Sequence, residues 1–527
     1  MNFQKGHEMP NRTSFDDCDD AAIRFVLGGK VHTLANFDPS MTILRYLREI
    51  GMRTGTKEAC GEGGCGACTV VLADLDDDGR LRYRTINACL HLLPQLDGHA
   101  LLTVEDLKAT DGQLHPVQQA LVDSHASQCG FCTPGIVMTL FALYQSGEQL
   151  EREALVNALA GNLCRCTGYR SIIDAASRMF EAEQPTAAQS KHRVNLSLGS
   201  SYPVKTGERA LHELLHSMKR VNRLSIQGCT TTGRKIRYLV PVDLAEVSEM
   251  LRQYEGAILL AGGTDIGPLV AETPQNFETV IFIGKVKELR GVVISDSGIN
   301  IGAATTLAEA YPVIAQYYPA FGELLLLFGS PAVRNLATIG GNIAGQSAVS
   351  DTPPALIALG SMVVLRAGSN QRTLPVEAFH TDGQKDVLAP GEFIESIYLP
   401  LPKKSSMFSV YKITKRHDCD IAAISAAFYM DLKDNRIQEA RICYGGMAPY
   451  AKRATQCERA LVGQPWTAKT IETATQMLER DFEPTSDVRA SSGYRTLVSL
   501  NLLQKFYFES SLSPEDLQVM AYQKKYE

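Results

Sequence analysis

Over its first hundred residues the chain alternates short apolar and polar runs, the pattern of β-strands. Residues 22–34 predict two short strands, and residues 69–73 and 81–86 predict two more around an acidic turn. Between these pairs, apolar residues recur at helical spacing over residues 43–50. Strands packed around one helix predict a small α+β domain over residues 21–108.

The next stretch, residues 109–182, changes to helical periodicity. Proline stands at the first predicted turn of two helices, a position that needs no amide hydrogen. The predicted helices are residues 116–123, 134–145, 151–163 and 171–181. The pattern therefore predicts a second, helical domain.

Beyond residue 182 the sequence divides into a linker and two further domains. Residues 183–230 are polar and lack clear periodicity, as in a linker, with one helix predicted at 210–220. Apolar runs, helices and Gly-rich turns alternate over residues 231–405, which predicts a third domain. Residues 406–520 mix strands with helices and predict a smaller α+β domain. We therefore expect a multidomain α+β protein.

Composition excludes several classes of partner. The chain has 527 residues, a net charge of −6, and 45% hydrophobic and 21% charged residues, as in ordinary globular proteins. The net negative charge predicts neither a nucleic-acid nor an anionic-membrane partner. No apolar run is long enough to cross a bilayer, and the polar N-terminus is unlike a signal peptide. The expected location is cytoplasmic.

Cysteine usage changes this picture. The chain has thirteen cysteines, and eight of them lie in tight groups between Cys60 and Cys166. In a reducing compartment such grouping predicts metal ligation rather than disulfides. The other five are scattered and are interpreted as buried small hydrophobic residues: Cys18, Cys229, Cys419, Cys443 and Cys457.

The first group has the spacing C-x4-C-x2-C-x20-C and consists of Cys60, Cys65, Cys68 and Cys89. Plant-type 2Fe–2S ferredoxins have this spacing; one loop supplies three thiolates and a separate element supplies the fourth. The intervening glycines permit positive φ and a close approach of N–H groups to sulfur. A structural zinc site is the alternative, although such sites usually have two CxxC-like pairs.

The second group consists of two close pairs beside predicted helix starts: Cys129 and Cys132, then Cys164 and Cys166. Helix N-termini favour thiolates and a negatively charged cluster. A thioredoxin-like redox pair is one alternative, and zinc is another that the cramped C-x-C pair disfavours. A second 2Fe–2S cluster is the favoured interpretation, because a ferredoxin-like domain lies immediately upstream.

The order of these motifs resembles the molybdenum hydroxylase family, specifically its xanthine dehydrogenase branch. The matching stretches are residues 60–68, 128–135, 161–170, 259–266, 337–342 and 347–353. The resemblance covers residues 22–510. It implies a plant-type ferredoxin β-grasp domain, a four-helix 2Fe–2S bundle, an FAD domain of the vanillyl-alcohol-oxidase type over residues 231–405, and a small α+β flavoprotein C-terminal domain over residues 406–520.

For FAD, the resemblance implies two Gly-rich segments. Backbone amides of a turn would bind the pyrophosphate, although such turns are also common in ordinary loops. The residues of that turn are Leu259, Leu260, Ala261, Gly262, Gly263, Thr264, Asp265 and Ile266. A second segment, which would approach the flavin or its phosphates, contributes Thr338, Gly341 and Asn342.

Four single side chains carry implied roles, each with a plainer alternative. Phe328 would lie beside the isoalloxazine, or else belong to the apolar core. Asp351 would contact FAD, or else cap a helix. Lys412 would lie near the flavin, or else be a solvated charge at a strand end. Gln128 would contact the molybdopterin cofactor of a partner, or else be an ordinary exposed glutamine.

The resemblance implies an electron-transfer role, from a molybdenum centre through the clusters to FAD and then to NAD⁺ as co-substrate. Because the chain ends at Glu527 without a molybdenum domain, molybdopterin is expected only on a partner large subunit, in a heterotetramer or a larger assembly. No side chain of this chain is expected to act as a catalytic acid or base. The alternatives are an aldehyde or N-heterocycle as substrate, oxygen as acceptor, a freestanding diaphorase, and a non-catalytic iron–sulfur protein.

Overall fold

The structure is a computed structural model that describes residues 21–109, 112–147, 150–180, 207–230, 233–273, 277–379, 387–417 and 419–512. Cys18, much of the predicted linker and the last residues of the predicted fourth domain lie outside these ranges. None of the described helices combines the length and the apolar character that crossing a bilayer requires.

The N-terminal domain is a five-stranded sheet with one short helix. Its elements are β1 (Ala22–Leu27), β2 (Lys30–Ala35), α1 (Ile43–Arg45), β3 (Thr69–Leu75), β4 (Leu81–Asn87) and β5 (Ala100–Leu102). The strand order is β2-β1-β5-β3-β4; β1 and β5 run parallel, and the other neighbours are antiparallel. A π-helical turn, Tyr46–Ile50, extends α1, so the predicted helix is present but irregular.

Both faces of this sheet are buried around β1, β3 and β5, whereas the edge strand β2 is largely exposed. Along β3, Val70 and Leu72 belong to one hydrophobic core, whereas Val71 and Ala73 belong to another. This alternation is the period of two that strand geometry imposes. The sheet therefore packs against a neighbour on each side.

The helical domain covers one face. Its helices are α2 (Pro116–Asp123), α3 (Thr133–Ser146), α4 (Arg152–Ala158) and α5 (Arg170–Arg178). All four predicted helices are confirmed, but the third is shorter than predicted. It ends early because the chain turns at Gly161, whose φ of 91° suits glycine, before reaching Cys164.

The described part of the predicted linker is packed rather than extended. Helix α6 (Gly207–Ser217) contributes Leu211 and Leu215 to the core of the helical domain, and strand β6 (Leu224–Cys229) joins the next sheet. The helix predicted at residues 210–220 is confirmed as α6, three residues nearer the N-terminus, but its packing against the helical domain was not predicted.

The third domain contains two sheets. The first has the order β6-β7-β9-β8, and its further elements are β7 (Lys235–Val240), α7 (Leu244–Gln253), β8 (Ile258–Leu260), α8 (Ile266–Glu272) and β9 (Thr279–Phe282). Side chains from these strands, including Ile226 and Tyr238, share one core with the second face of the N-terminal sheet.

The second sheet of this domain is antiparallel, with the order β10-β11-β14-β12-β13. The elements are β10 (Val292–Ile294), β11 (Gly298–Gly302), α9 (Leu307–Tyr317), α10 (Pro319–Leu326), α11 (Pro331–Arg334), α12 (Ile339–Ala344), α13 (Thr352–Ala358), β12 (Met362–Ala367), β13 (Asn370–Pro375) and β14 (Phe393–Pro400).

The C-terminal domain is an antiparallel sheet, β15-β16-β17-β18, with three helices. Its elements are β15 (Ser406–Ile413), β16 (Ile424–Lys433), β17 (Arg436–Gly445), β18 (Lys452–Arg453), α14 (Thr455–Leu461), α15 (Ala468–Leu478) and α16 (Ser492–Ser511). One face packs on these helices, and Tyr429 and Cys443 on the other face join the core of the third domain. The predicted mixture of strands and helices is confirmed.

Asp97 forms hydrogen bonds with residues of three other segments of the chain. The Arg220 guanidinium donates to both of its carboxylate oxygens, over 2.8 and 2.9 Å. Lys285, from the third domain, donates to its backbone carbonyl, and the Arg24 amide donates to its side chain. Burial would raise the pKa of Asp97, but the Arg220 hydrogen bond and the Lys285 charge lower it to about 2.

We expect Asp97→Ala to destabilise the protein by about 3 kcal/mol, because it leaves the buried Arg220 charge without its partner. The lowered pKa adds a pH dependence: the stabilisation by Asp97 is present above about pH 4 and is lost as the pH falls toward 2. Thermal unfolding at several pH values measures both effects.

Asp78→Ala is the matched control, since that carboxylate is 72% exposed in the turn between β3 and β4. It should leave the unfolding midpoint nearly unchanged. Equal midpoints for the two variants would contradict the role assigned to Asp97.

Candidate iron–sulfur and flavin sites

The first cysteine group lies in the loop between the π-helical turn and β3, with Cys89 after β4. The structure brings all four together as two pairs. The sulfur atoms of Cys68 and Cys89 are 3.3 Å apart. The thiol of Cys65 hydrogen-bonds to that of Cys60 and lowers the pKa of Cys60 to about 5.

The second group also forms two pairs. Its cysteines lie in the loop before α3 and in the loop between α4 and α5. The Cys132 thiol is partly buried and hydrogen-bonds to that of Cys164, and both effects raise its pKa to about 12. A hydrogen bond between the thiols of Cys129 and Cys166 raises the pKa of Cys166.

The arrangement of the cysteine thiols in pairs distinguishes a zinc ion from a 2Fe–2S cluster. A tetrahedral zinc site needs its ligands to converge on one ion. A 2Fe–2S cluster contains two irons, each with two protein ligands, so two thiol pairs suit it. The donor sets fit 2Fe–2S clusters.

Backbone contacts join the two cysteine groups. The amide of Leu163, next to Cys164, donates to the carbonyl of Cys65 over 2.9 Å. A Cβ added to Gly135, in the first turn of α3, would lie 2.2 Å from the Gly66 carbonyl oxygen. The two loops are therefore in direct contact, at positions where side chains would not fit.

The two Gly-rich flavin segments are also adjacent. The predicted turn, residues 259–266, spans the end of β8, a loop and the start of α8. A Cβ added to Gly262 would lie 1.7 Å from the Leu336 carbonyl oxygen, just before Thr338. Thr338 is the N-cap of α12, and its hydroxyl accepts a hydrogen bond from the Gly341 amide over 3.1 Å.

Asp351 and Lys412 form a buried ion pair. Their charged atoms are 2.7 Å apart, and the side chains are 8% and 2% exposed. The predicted alternative of a solvated lysine is therefore wrong. Asp351 precedes α13, but its side chain makes no capping hydrogen bond in the described part of the chain. Its second oxygen, Oδ1, is buried without a partner among the described residues.

The orphaned oxygen of Asp351 and the glycine turns together fit a bound flavin nucleotide. Asn342 joins this region, because its side-chain oxygen accepts from the Thr352 hydroxyl over 2.6 Å. Phe328 is half-buried at the edge of the core, so the structure supports part of each interpretation of it. Gln128 is exposed beside Cys129, in the helical domain.

Sequence reasoning missed Arg334. Its guanidinium donates to the carbonyls of Leu326, Phe328 and Gly329 over 2.8, 3.1 and 2.9 Å. Lys412 donates to the carbonyl of Leu327 as well. Two cations thus hold the Phe328 segment in place. No local pattern could reveal this, because the partners are backbone carbonyls at the end of another helix.

The first cysteine group adjoins the flavin turn through Leu90. A Cβ added to Gly267, in α8, would lie 2.1 Å from the Leu90 carbonyl oxygen. On the other side, a Cβ added to Gly63 would lie 2.6 Å from the Leu90 side chain. Leu90 follows Cys89 directly, so one residue separates the cysteine site from α8.

Four family models match the chain in succession. They are a 2Fe–2S iron-sulfur cluster binding domain over residues 26–93, a [2Fe-2S] binding domain over 103–177, the FAD binding domain in molybdopterin dehydrogenase over 234–402, and the CO dehydrogenase flavoprotein C-terminal domain over 409–510. The chain carries the iron–sulfur and FAD domains of the molybdenum hydroxylase family.

Individual molybdenum hydroxylases agree with this assignment. Xanthine dehydrogenase/oxidase of Gallus gallus is 31% identical over 92% of this chain and 39% of its own length. Aldehyde oxidase 2 of Mus musculus is 29% identical with the same coverage. The chain thus spans about two fifths of the length of these relatives.

Among solved structures, the carbon monoxide dehydrogenase of Hydrogenophaga pseudoflava is similar to 51% of this chain and 94% of its own, at 28% identity. Its TM-score is 0.48. The β-grasp, four-helix-bundle and vanillyl-alcohol-oxidase folds stay predictions.

We expect Cys65→Ser to remove one of two 2Fe–2S signals in the EPR spectrum of the reduced protein and to leave the other. The two cysteine groups share no ligand, so each cluster should assemble by itself. Cys229 was predicted to be buried, but it is exposed at the end of an edge strand, so that prediction is wrong. Because Cys229 lies outside both groups, Cys229→Ser should keep both signals. Loss of both signals in folded Cys65→Ser protein, or stoichiometric zinc in the wild type, would count against two clusters.

Gly262→Ala should reduce the FAD content, because the new methyl group would overlap the Leu336 carbonyl and separate the two Gly-rich segments. The misfit should also destabilise the protein by about 1–3 kcal/mol. Flavin absorbance after denaturation measures the bound FAD per chain. Gly493→Ala, where a Cβ meets nothing within 4 Å, is the control. Full FAD occupancy in Gly262→Ala would refute the assignment of the turn.

Proposed function

We propose that this chain is the electron-transfer subunit of a xanthine dehydrogenase. It accepts electrons from a molybdenum centre on a partner large subunit and passes them to FAD and then to NAD⁺. Cys129, Cys132, Cys164 and Cys166 hold the cluster nearer the partner, and Cys60, Cys65, Cys68 and Cys89 hold the cluster nearer the flavin.

The observation that carries this proposal is the order in which the three sites adjoin. The Leu163 amide links the second cysteine group to Cys65 over 2.9 Å. The Leu90 carbonyl, next to Cys89, lies against Gly267 in the helix that follows the flavin turn. A linear series of adjoining sites suits carriers that exchange electrons one after another.

When bound, the clusters would carry single electrons, and FAD would connect them with the two-electron chemistry of nicotinamide. The chain's own residues bind and orient these groups. The amides of the Gly262–Gly263 turn would form an anion-binding nest for the pyrophosphate. The free Oδ1 of Asp351 would accept a hydrogen bond from bound FAD, while Lys412 keeps that carboxylate in place.

The second cysteine group suits contact with a partner. Cys129, Cys166 and Gln128 are exposed, and Phe131 beside them is 46% exposed. In our proposal the molybdenum subunit covers this surface, Gln128 contacts its molybdopterin, and the assembly is a heterotetramer or larger.

Xanthine is the first candidate substrate, since xanthine dehydrogenases of animals and plants are 30–31% identical to the chain. Aldehydes are the second candidate, because aldehyde oxidase 2 of Mus musculus is 29% identical over the same share of the chain. NAD⁺ is the proposed acceptor, with oxygen as the alternative. The substrate depends on the partner, and the acceptor depends on the flavin surface. Neither choice changes the role of the cysteines.

The isolated chain, loaded with its cofactors, should oxidise NADH with an artificial dye but should not oxidise xanthine. Adding the molybdenum subunit should produce xanthine-dependent reduction of NAD⁺. Gln128→Ala should impair this coupled reaction and spare the dye reaction, because Gln128 lies at the partner-facing end. Gln119→Ala, an exposed glutamine on α2, is the control.

Several outcomes would reject parts of this scheme. Xanthine oxidation by the molybdenum-free chain would reject the division of labour between subunits. Coupled turnover of an aldehyde but not of xanthine would move the chain to the aldehyde-oxidising branch. A normal coupled rate in Gln128→Ala would reject only the role of Gln128.

A further inference from the structure

A buried amide lies where the two cysteine loops meet. Asn162 is 6% exposed and precedes Leu163, whose amide contacts Cys65. The Asn162 side chain donates to the Gly66 carbonyl and to the Thr69 hydroxyl, each over 3.2 Å. Both acceptors belong to the first cysteine loop or to the start of β3. Asn162 thus ties its own loop to the first cluster site.

The other end of the same amide is bound by the helix of the second site. The Thr139 hydroxyl, on α3, donates to the Asn162 side-chain oxygen over 2.8 Å. Helix α3 begins directly after Cys132. The Asn162 side chain therefore bonds to the first cysteine loop and to the helix that follows Cys132. The backbone of Asn162 belongs to the loop that carries Cys164.

The surroundings leave this amide little freedom. A Cβ added to Gly66 would lie 2.4 Å from the Gly161 carbonyl oxygen, so the two loops are in backbone contact. The cavity beside Asn162 measures only about 10 Å³, at the lower limit for a single water molecule. The cavity therefore has room for at most one water molecule beside the amide.

We propose that Asn162 is a positioning residue for electron exchange between the two clusters. It fixes the distance and orientation of the two cysteine loops, and so maintains the Leu163–Cys65 hydrogen bond between them. Asn162 itself ligates neither cluster. This inference rests on the proposed function, because it requires both cysteine groups to hold clusters.

The test uses magnetic coupling, which depends on the separation of the clusters and on the bonds between them. Two reduced clusters in close contact split each other's EPR lines. Thr139→Val removes the hydroxyl that orients the Asn162 amide while keeping the size of the side chain. Thr139→Ser keeps the hydroxyl and is the matched control. Asn162→Ala removes the whole link and should have the larger effect.

We expect the splitting to narrow in Thr139→Val and to be lost in Asn162→Ala, with the wild-type iron content and both individual signals retained. After flash reduction, electron transfer to FAD from the cluster held by Cys129, Cys132, Cys164 and Cys166 should slow in the same order. Thr139→Ser should match the wild type. A merely structural role would lower the unfolding midpoint without changing the splitting.

Different results would overturn the proposed function and the role of Asn162. A wild-type chain without two clusters would overturn the proposed function and this inference together. Two clusters with a splitting that is unchanged in Thr139→Val would overturn only the role of Asn162. Since Thr139→Val is a nearly isosteric change at a residue that ligates neither cluster, that result remains decisive even if Asn162→Ala does not fold.

Discussion

The architecture depends on the central strands of the N-terminal sheet being buried on both faces. Antiparallel sheets commonly keep one face wet, with polar residues alternating against apolar ones. Here Val70 and Leu72 pack on the flavin side while Val71 and Ala73 pack on the helical side. The sheet thereby holds one proposed cluster site and orients the other two sites relative to it.

The two cysteine groups and the flavin segments contact one another through backbone atoms rather than through side chains. Glycines at Gly66, Gly135, Gly262 and Gly267 lie at points where a methyl group would overlap a carbonyl of another segment. Side chains at these points would separate the segments, and overpacking of this kind costs about 1–3 kcal/mol per site. The glycines therefore set how closely the proposed carriers can approach.

Local patterns predicted what depends on neighbours in the chain. The four helices of the second domain and the grouping of eight cysteines followed from spacing alone. The pairing of the cysteines did not, because Cys89 meets Cys68 only after β3 and β4 have formed. The Lys412–Asp351 pair spans 61 residues, and the contact between Asn162 and Gly66 spans 96. Such partners are chosen by the tertiary fold, so a single sequence contains no signal for them.

The packing of α6 and β6 connects the N-terminal sheet to later parts of the chain. After the stretch that follows the helical domain, the chain returns to the first sheet: α6 enters one of its cores, and Ile226 of β6 enters the other. A fragment ending at residue 180 would expose the apolar face that β6 and β7 cover. The ferredoxin-like unit is therefore not an exchangeable cassette, and a chimera with a homologue would have to carry both partners of each shared core.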